Sequence, residues 1–85
     1  MRRKHRKTLD AIFRHPVQSG VAWTDIESLF LACGADIEER AGSRVYVELN
    51  GVAGHFHRPH PRKEARKRAV EAVRRFLREA GVERS

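Results

Sequence analysis

The sequence predicts an α+β fold: (α)-α-β-β-β-α, with a three-stranded antiparallel sheet and helices on one face. Three observations carry this expectation. Apolar residues recur with helical spacing up to residue 34 and again beyond residue 61. Between those stretches they alternate with period two, as in half-buried strands. The pair Asn50-Gly51 separates two alternating runs, and it is the pair favoured where both central turn positions need positive φ. The 85 residues suit one domain spanning 1–85.

Leu9, Ile12 and Phe13 stand at i, i+3, i+4 and predict a short amphipathic helix from Lys7 to Arg14. His15-Pro16 stops it, because the residue before proline is pushed out of the α region. Val17 to Val21 is a connector. Thr24 and Glu27 form a capping-box pattern, and Ile26, Leu29, Phe30 and Cys33 make the apolar stripe of the helix that follows. Gly34 supplies its left-handed stop. Ala35 to Arg40 then alternate as a short strand, and Gly42-Ser43 marks a turn. Val45, Val47 and Leu49 are the inner face of the next strand. The returning strand, from about Val52 to Arg58, places Phe56 inward and His55 and His57 outward. Arg58-Pro59-His60-Pro61 ends the sheet, since proline cannot donate to a ladder. A long helix from Arg62 to Ala80 carries Ala65, Ala69, Val73, Phe76, Leu77 and Ala80 on one face and closes at Gly81-Val82. Phe30, Val45, Val47, Leu49, Phe56, Val73, Phe76 and Leu77 are the expected core.

Composition excludes several classes. No run approaches the roughly 18 apolar residues of a membrane span, and no apolar segment of signal-peptide length follows the basic stretch Met1 to Lys7. Cys33 is the only cysteine, so an internal disulfide is impossible. A basic, soluble, cytoplasmic protein without a membrane partner is expected. The formal charge is +7, and it is unevenly placed. Residues 1–14 hold six Lys/Arg and one Asp, residues 15–50 two Arg and six acids, and residues 51–85 ten Lys/Arg and four Glu. Two basic ends around an acidic middle suit a surface that faces a polyanion, RNA or DNA, although exposed Lys/Arg also simply keep a protein in solution.

The outer sheet face gathers the chemistry. Alternation puts Arg44, Tyr46 and Glu48 on one face of their strand, and a hairpin in register adds His55 and His57 to it. His60 follows the strand, and Arg58, Arg62, Lys63, Arg66 and Lys67 crowd the next loop and the first helical turns. Metal-independent RNA cleavage needs a base near the 2′-OH, an acid for the leaving oxygen and cations on the phosphate, and imidazole with neighbouring Arg/Lys fits those roles. His57 is the first candidate for proton transfer, with His55 or His60 as its partner and Arg44 stabilising charge on phosphorus. His-x-His with a third histidine also resembles a metal ligand set; flanking cations oppose a dication, so neither a metal nor another cofactor is expected. Residue by residue, solvated strand histidines are the plainest reading. Cys33 lies on an apolar stripe and reads as core, Ser43 has no base beside it in sequence, and Trp23 reads as a core edge.

The helix ending in Gly34, the Gly42-Ser43 turn, the hairpin, the His57-Arg58-Pro59-His60-Pro61 segment and the final basic helix resemble the HicA family of bacterial toxins. The similarity covers roughly residues 23–82, with residues 1–16 an added basic N-terminal helix. The resemblance implies a double-stranded-RNA-binding-domain-like fold. It also implies a metal-independent endoribonuclease acting on mRNA in a type II toxin–antitoxin system, neutralised by a HicB-type antitoxin that covers the active site. His60 matches a histidine common in the family's Pro-rich exit from the sheet. One departure stands out: the family's usual histidine, one or two positions after Gly-Ser, is replaced by Arg44 and Val45. Cleavage by a rearranged site and RNA or DNA binding without cleavage are therefore both open on the sequence.

Overall fold

The computed structural model describes residues 1–60 and 62–83; Pro61, of the Pro-rich exit, lies outside the described residues. The elements are helix α1 (Arg3–Ile12), strand β1 (Val21–Ala22), helix α2 (Trp23–Ala32), strands β2 (Asp36–Arg40), β3 (Arg44–Leu49), β4 (Val52–His57) and β5 (Glu64–Ala65), and helix α3 (Lys67–Glu79). Strands β2, β3 and β4 form the expected antiparallel sheet in chain order. Asn50 (φ 52°) and Gly51 (φ 81°) make the tight hairpin turn between β3 and β4.

One sheet face is apolar because alternation sends every second side chain to it. Val45, Val47, Leu49 and Phe56 are buried there, together with Phe30, Val73, Phe76 and Leu77, the whole expected core. Phe76 meets Phe30 and Phe56 edge-on, with ring centroids 5.4 and 5.6 Å apart. Gly54 lets Phe76 close against the sheet: a Cβ there would stand 2.7 Å from Phe76 Cδ1. Both long helices of the core end as the glycines indicate. The Ala35 N–H donates to the Phe30 carbonyl after Gly34, and the Val82 N–H to the Leu77 carbonyl after Gly81, the six-to-one bond of a Schellman ending.

The structure corrects four expectations. Helix α1 begins at Arg3, not Lys7, and gives way at Phe13, whose N–H donates to the Leu9 carbonyl. Arg and Lys are good helix formers, but a basic run has no apolar period to reveal it. The capping box of Thr24 and Glu27 is not formed. Helix α2 starts two residues earlier, with Ala22 and not Thr24 at the N-cap, and the Trp23 N–H donates to the Lys63 carbonyl at 2.9 Å, while Glu27 turns to other partners. Helix α3 begins at Lys67, not Arg62. Glu64 and Ala65 instead pair with Ala22 and Val21 as a second, two-stranded sheet, which no local pattern announced. Ala65 is still buried, but from a strand. Finally, Val70 and Arg74 join the buried face of α3. Arg74 donates from Nε to the Ile12 carbonyl at 2.9 Å and from Nη2 to the Arg14 carbonyl at 2.8 Å, satisfying acceptors at the end of α1 that the helix itself leaves open.

Candidate functional site

The β3–β4 register sets Arg44 opposite His57 and Tyr46 opposite His55. A two-residue hairpin makes Leu49 and Val52 a hydrogen-bonded pair, so such pairs alternate outward from the turn. The Arg58 N–H to Ser43 carbonyl bond of 2.8 Å fits that phase. Arg44/His57 and Tyr46/His55 are therefore non-hydrogen-bonded pairs, whose side chains approach more closely. Tyr46 and His55 do meet, with ring centroids 5.0 Å apart, and the Arg40 guanidinium lies 5.0 Å from the Tyr46 ring centre. Arg44, Glu48, His55 and His57 are exposed and Tyr46 half-buried, so the expected polar face exists. Arg44 Nε donates to the Ala41 carbonyl at 3.0 Å, a bond that restrains the guanidinium beside the turn.

Beyond the end of β4 the chain forms a groove of about 420 Å³. The buried Trp23, Phe56 and Ala65 and the half-buried Ala69 and Ala72 form its apolar floor. Exposed His55, His57, His60, Arg62, Arg66 and Arg68 form its rim. With the half-buried Arg58, which also lines it, three histidines and four arginines meet on one concavity. Lys63 and Lys67 are exposed in the same stretch of chain but do not line it. Arg68 was not singled out by the sequence; it joins the rim from the first turn of α3. The other large depression, about 470 Å³, lies among Leu9, Asp10, Cys33 and Val82 and shares no residue with the groove. Burial pushes the Cys33 thiol up from its ordinary value, which disfavours the thiolate a nucleophile needs.

Arg58 has a different setting from the other cations. Its Nε and Nη2 donate to the two carboxylate oxygens of Glu27 at 2.8 and 3.0 Å, and Nη1 donates to Glu39. Trp23 Nε1 donates to the same Glu27 carboxylate. The Arg58 guanidinium holds the Glu27 carboxyl below the usual carboxylate range; partial burial opposes this and the Trp23 bond reinforces it. The bonds from Glu27 and Glu39 raise Arg58 still further above its already high value. The bidentate pair with Glu27 ties the exit of β4 to α2, and the bond to Glu39 ties it to β2, 31 and 19 residues away in sequence. Nothing in the local pattern marks Glu27 or Glu39 as its partner.

Among the described residues no three His, Cys, Asp or Glu side chains are grouped to hold a metal ion, so the His-x-His pattern finds no completed ligand set. Among the same residues no helix is long and apolar enough to cross a membrane.

No curated protein and no solved structure matches the chain. The family described as HicA toxin of bacterial toxin–antitoxin matches residues 23–82. That stretch runs from the first residue of α2 past the end of α3, holds the sheet, the groove and the three clustered histidines, and leaves α1 outside. The chain therefore belongs to the HicA toxin family.

Proposed function

We propose that this toxin binds mRNA on the open sheet face and adjoining groove, cleaves it there without a metal, and is neutralised by a HicB-type antitoxin over the same surface. The observation that carries the reading is the meeting of Arg44, His55 and His57 on one exposed face beside a groove rimmed by His60, Arg62 and Arg66. Cleavage needs the 2′-OH proton removed, the 2′-oxygen bonded to phosphorus and the P–O5′ bond broken, with a proton delivered to the leaving 5′-oxygen. His57 is assigned the first proton transfer and His55 or His60 the second. Imidazole suits both roles because it accepts and donates protons near neutrality. Arg44, Arg62, Lys63, Arg66 and Lys67 supply positive charge for the phosphates, and Tyr46 a ring for a base. Arg58, held by two carboxylates, serves chiefly to shape the strand exit.

The test is RNA cleavage and growth arrest for the wild type and for His55→Ala, His57→Ala and His60→Ala, all in chelator. Loss of one general acid or base lowers the rate by about 10²–10⁴-fold, and His57→Ala should show it with folding intact. Three variants that all cut like the wild type would end the histidine mechanism.

The second reading, RNA binding without cleavage, is favoured by one observation. The positions after Gly42-Ser43 carry Arg44 and a fully buried Val45, neither suited to general base work. A folded wild type that binds RNA and never cuts it would decide for that reading.

A further inference from the structure

We infer that an acidic, extended segment of the cognate antitoxin adds to the free edge of β4 as a fourth strand, seating its side chains in the adjoining groove. This rests on the antitoxin reading above and specifies how the partner is held.

The argument starts from hydrogen-bond phase. Strand β4 is at the edge of the sheet, paired only with β3. Because Leu49/Val52 is a hydrogen-bonded pair and the pattern alternates, Gly54 and Phe56 bond to β3, as Arg58 does to Ser43. The main-chain N–H and C=O groups of Ala53, His55 and His57 then point away from β3. An open row of donors and acceptors is a template for another strand. The other edge, β2, is guarded by charge: Asp36, Glu38, Glu39 and Arg40 are all exposed. Strand β4 carries no Lys, Asp, Glu or Pro.

The groove runs beside that edge, since His55, Phe56 and His57 all line it. In a strand pairing with His55 and His57, side chains alternate between the two faces. Those on the helix side meet the apolar floor of Trp23, Phe56, Ala69 and Ala72. Arg62, Arg66 and Arg68 on the rim select carboxylates for the flanking positions, by charge complementarity. Main-chain bonds would provide affinity and the groove specificity, as in other strand-addition complexes. The added strand would also lie against His55 and His57, so the same contact that binds would close the candidate site.

The test is amide hydrogen exchange by NMR on the labelled toxin, free and in the purified complex with its cognate antitoxin. The His55 and His57 amides should exchange rapidly in the free protein and at least about 10²-fold more slowly in the complex. The Phe56 amide, already bonded to β3, should be protected in both. The double variant Arg66→Glu, Arg68→Glu should weaken antitoxin binding at least 10-fold. A stable complex in which the His55 and His57 amides still exchange freely would overturn strand addition while leaving neutralisation by antitoxin intact. Absence of any complex would overturn both. Equal protection of these amides by an RNA oligonucleotide would assign the edge to nucleic acid. Protection in the concentrated toxin alone would assign it to a second copy of the chain.

Discussion

Replacing Glu27 by Gln tests the clamp that fixes the strand exit. The change keeps size and one carbonyl acceptor but removes the charge and turns the other oxygen into a donor facing the Arg58 guanidinium. Two bonds between opposite charges, at 2.8 and 3.0 Å, become at best one bond from the guanidinium to an uncharged amide oxygen. Each such bond contributes about 1.5–3 kcal/mol. The Glu27 side chain is 19 % exposed and Arg58 35 %, so the freed guanidinium recovers part of its hydration and solvent screens the pair. The expected loss at neutral pH is accordingly about 1–2 kcal/mol, roughly a 5- to 30-fold fall in the folded-to-unfolded ratio. The pH dependence is the sharper signature. Glu27 is held below its ordinary value in the folded state, so its contribution is complete above the unfolded carboxyl's pKa, near 4.3. It is lost as pH falls through the lower folded value. Urea unfolding of wild type and Glu27→Gln should therefore differ by a constant amount from pH 7 to about pH 5 and draw together progressively as pH falls below the unfolded value. Two stability curves that stay parallel into acid would refute the argument, because the pair would then not be what shifts the carboxyl.

Other consequences follow from packing and charge. Phe76→Ala removes the ring that joins Phe30 and Phe56 and should cost about 3–5 kcal/mol, a large part of the roughly 4–13 kcal/mol expected for a chain this size; a urea midpoint unchanged from wild type would contradict the core assignment. Gly54→Ala forces a Cβ to within 2.7 Å of Phe76 Cδ1 and 2.9 Å of Phe56 Cε2, and overpacking of this kind costs about 1–3 kcal/mol, readable in the same experiment. Arg74→Met deletes both bonds to the carbonyls at the end of α1; amide exchange should quicken across α1 while the sheet stays protected, and unchanged α1 protection would count against the bridging role. RNA affinity should fall steeply with salt, and the triple variant Lys63→Glu, Arg66→Glu, Lys67→Glu should reduce the log–log slope by about 2; a wild-type affinity indifferent to salt would rule out phosphate contacts.

Much of the molecule was legible in the linear pattern. Alternation from Val45 to Leu49 fixed which side chains enter the core, and Asn50-Gly51 fixed the register that sets His57 opposite Arg44. Both are local effects: a two-residue turn and a period of two leave one phase that buries the apolar set. The histidine cluster was visible for the same reason. Strand β5 was not, because Glu64-Ala65 has no strand pattern of its own and is extended only where Gly20, β1 and the start of α2 offer main-chain partners. The start of α3 moved with it, from Arg62 to Lys67. Arg58 shows the difference most plainly. In sequence it is one more cation in a basic stretch, equivalent to Arg62 or Arg66. Only the placement of α2 and of β2, on the far side of β3, brings Glu27 and Glu39 to it. Arg74 likewise reads as one more charge on a basic helix, yet it is buried against the end of α1. Periodicity records which face of an element leaves water, whereas the partner of a long charged side chain depends on where a distant element comes to rest.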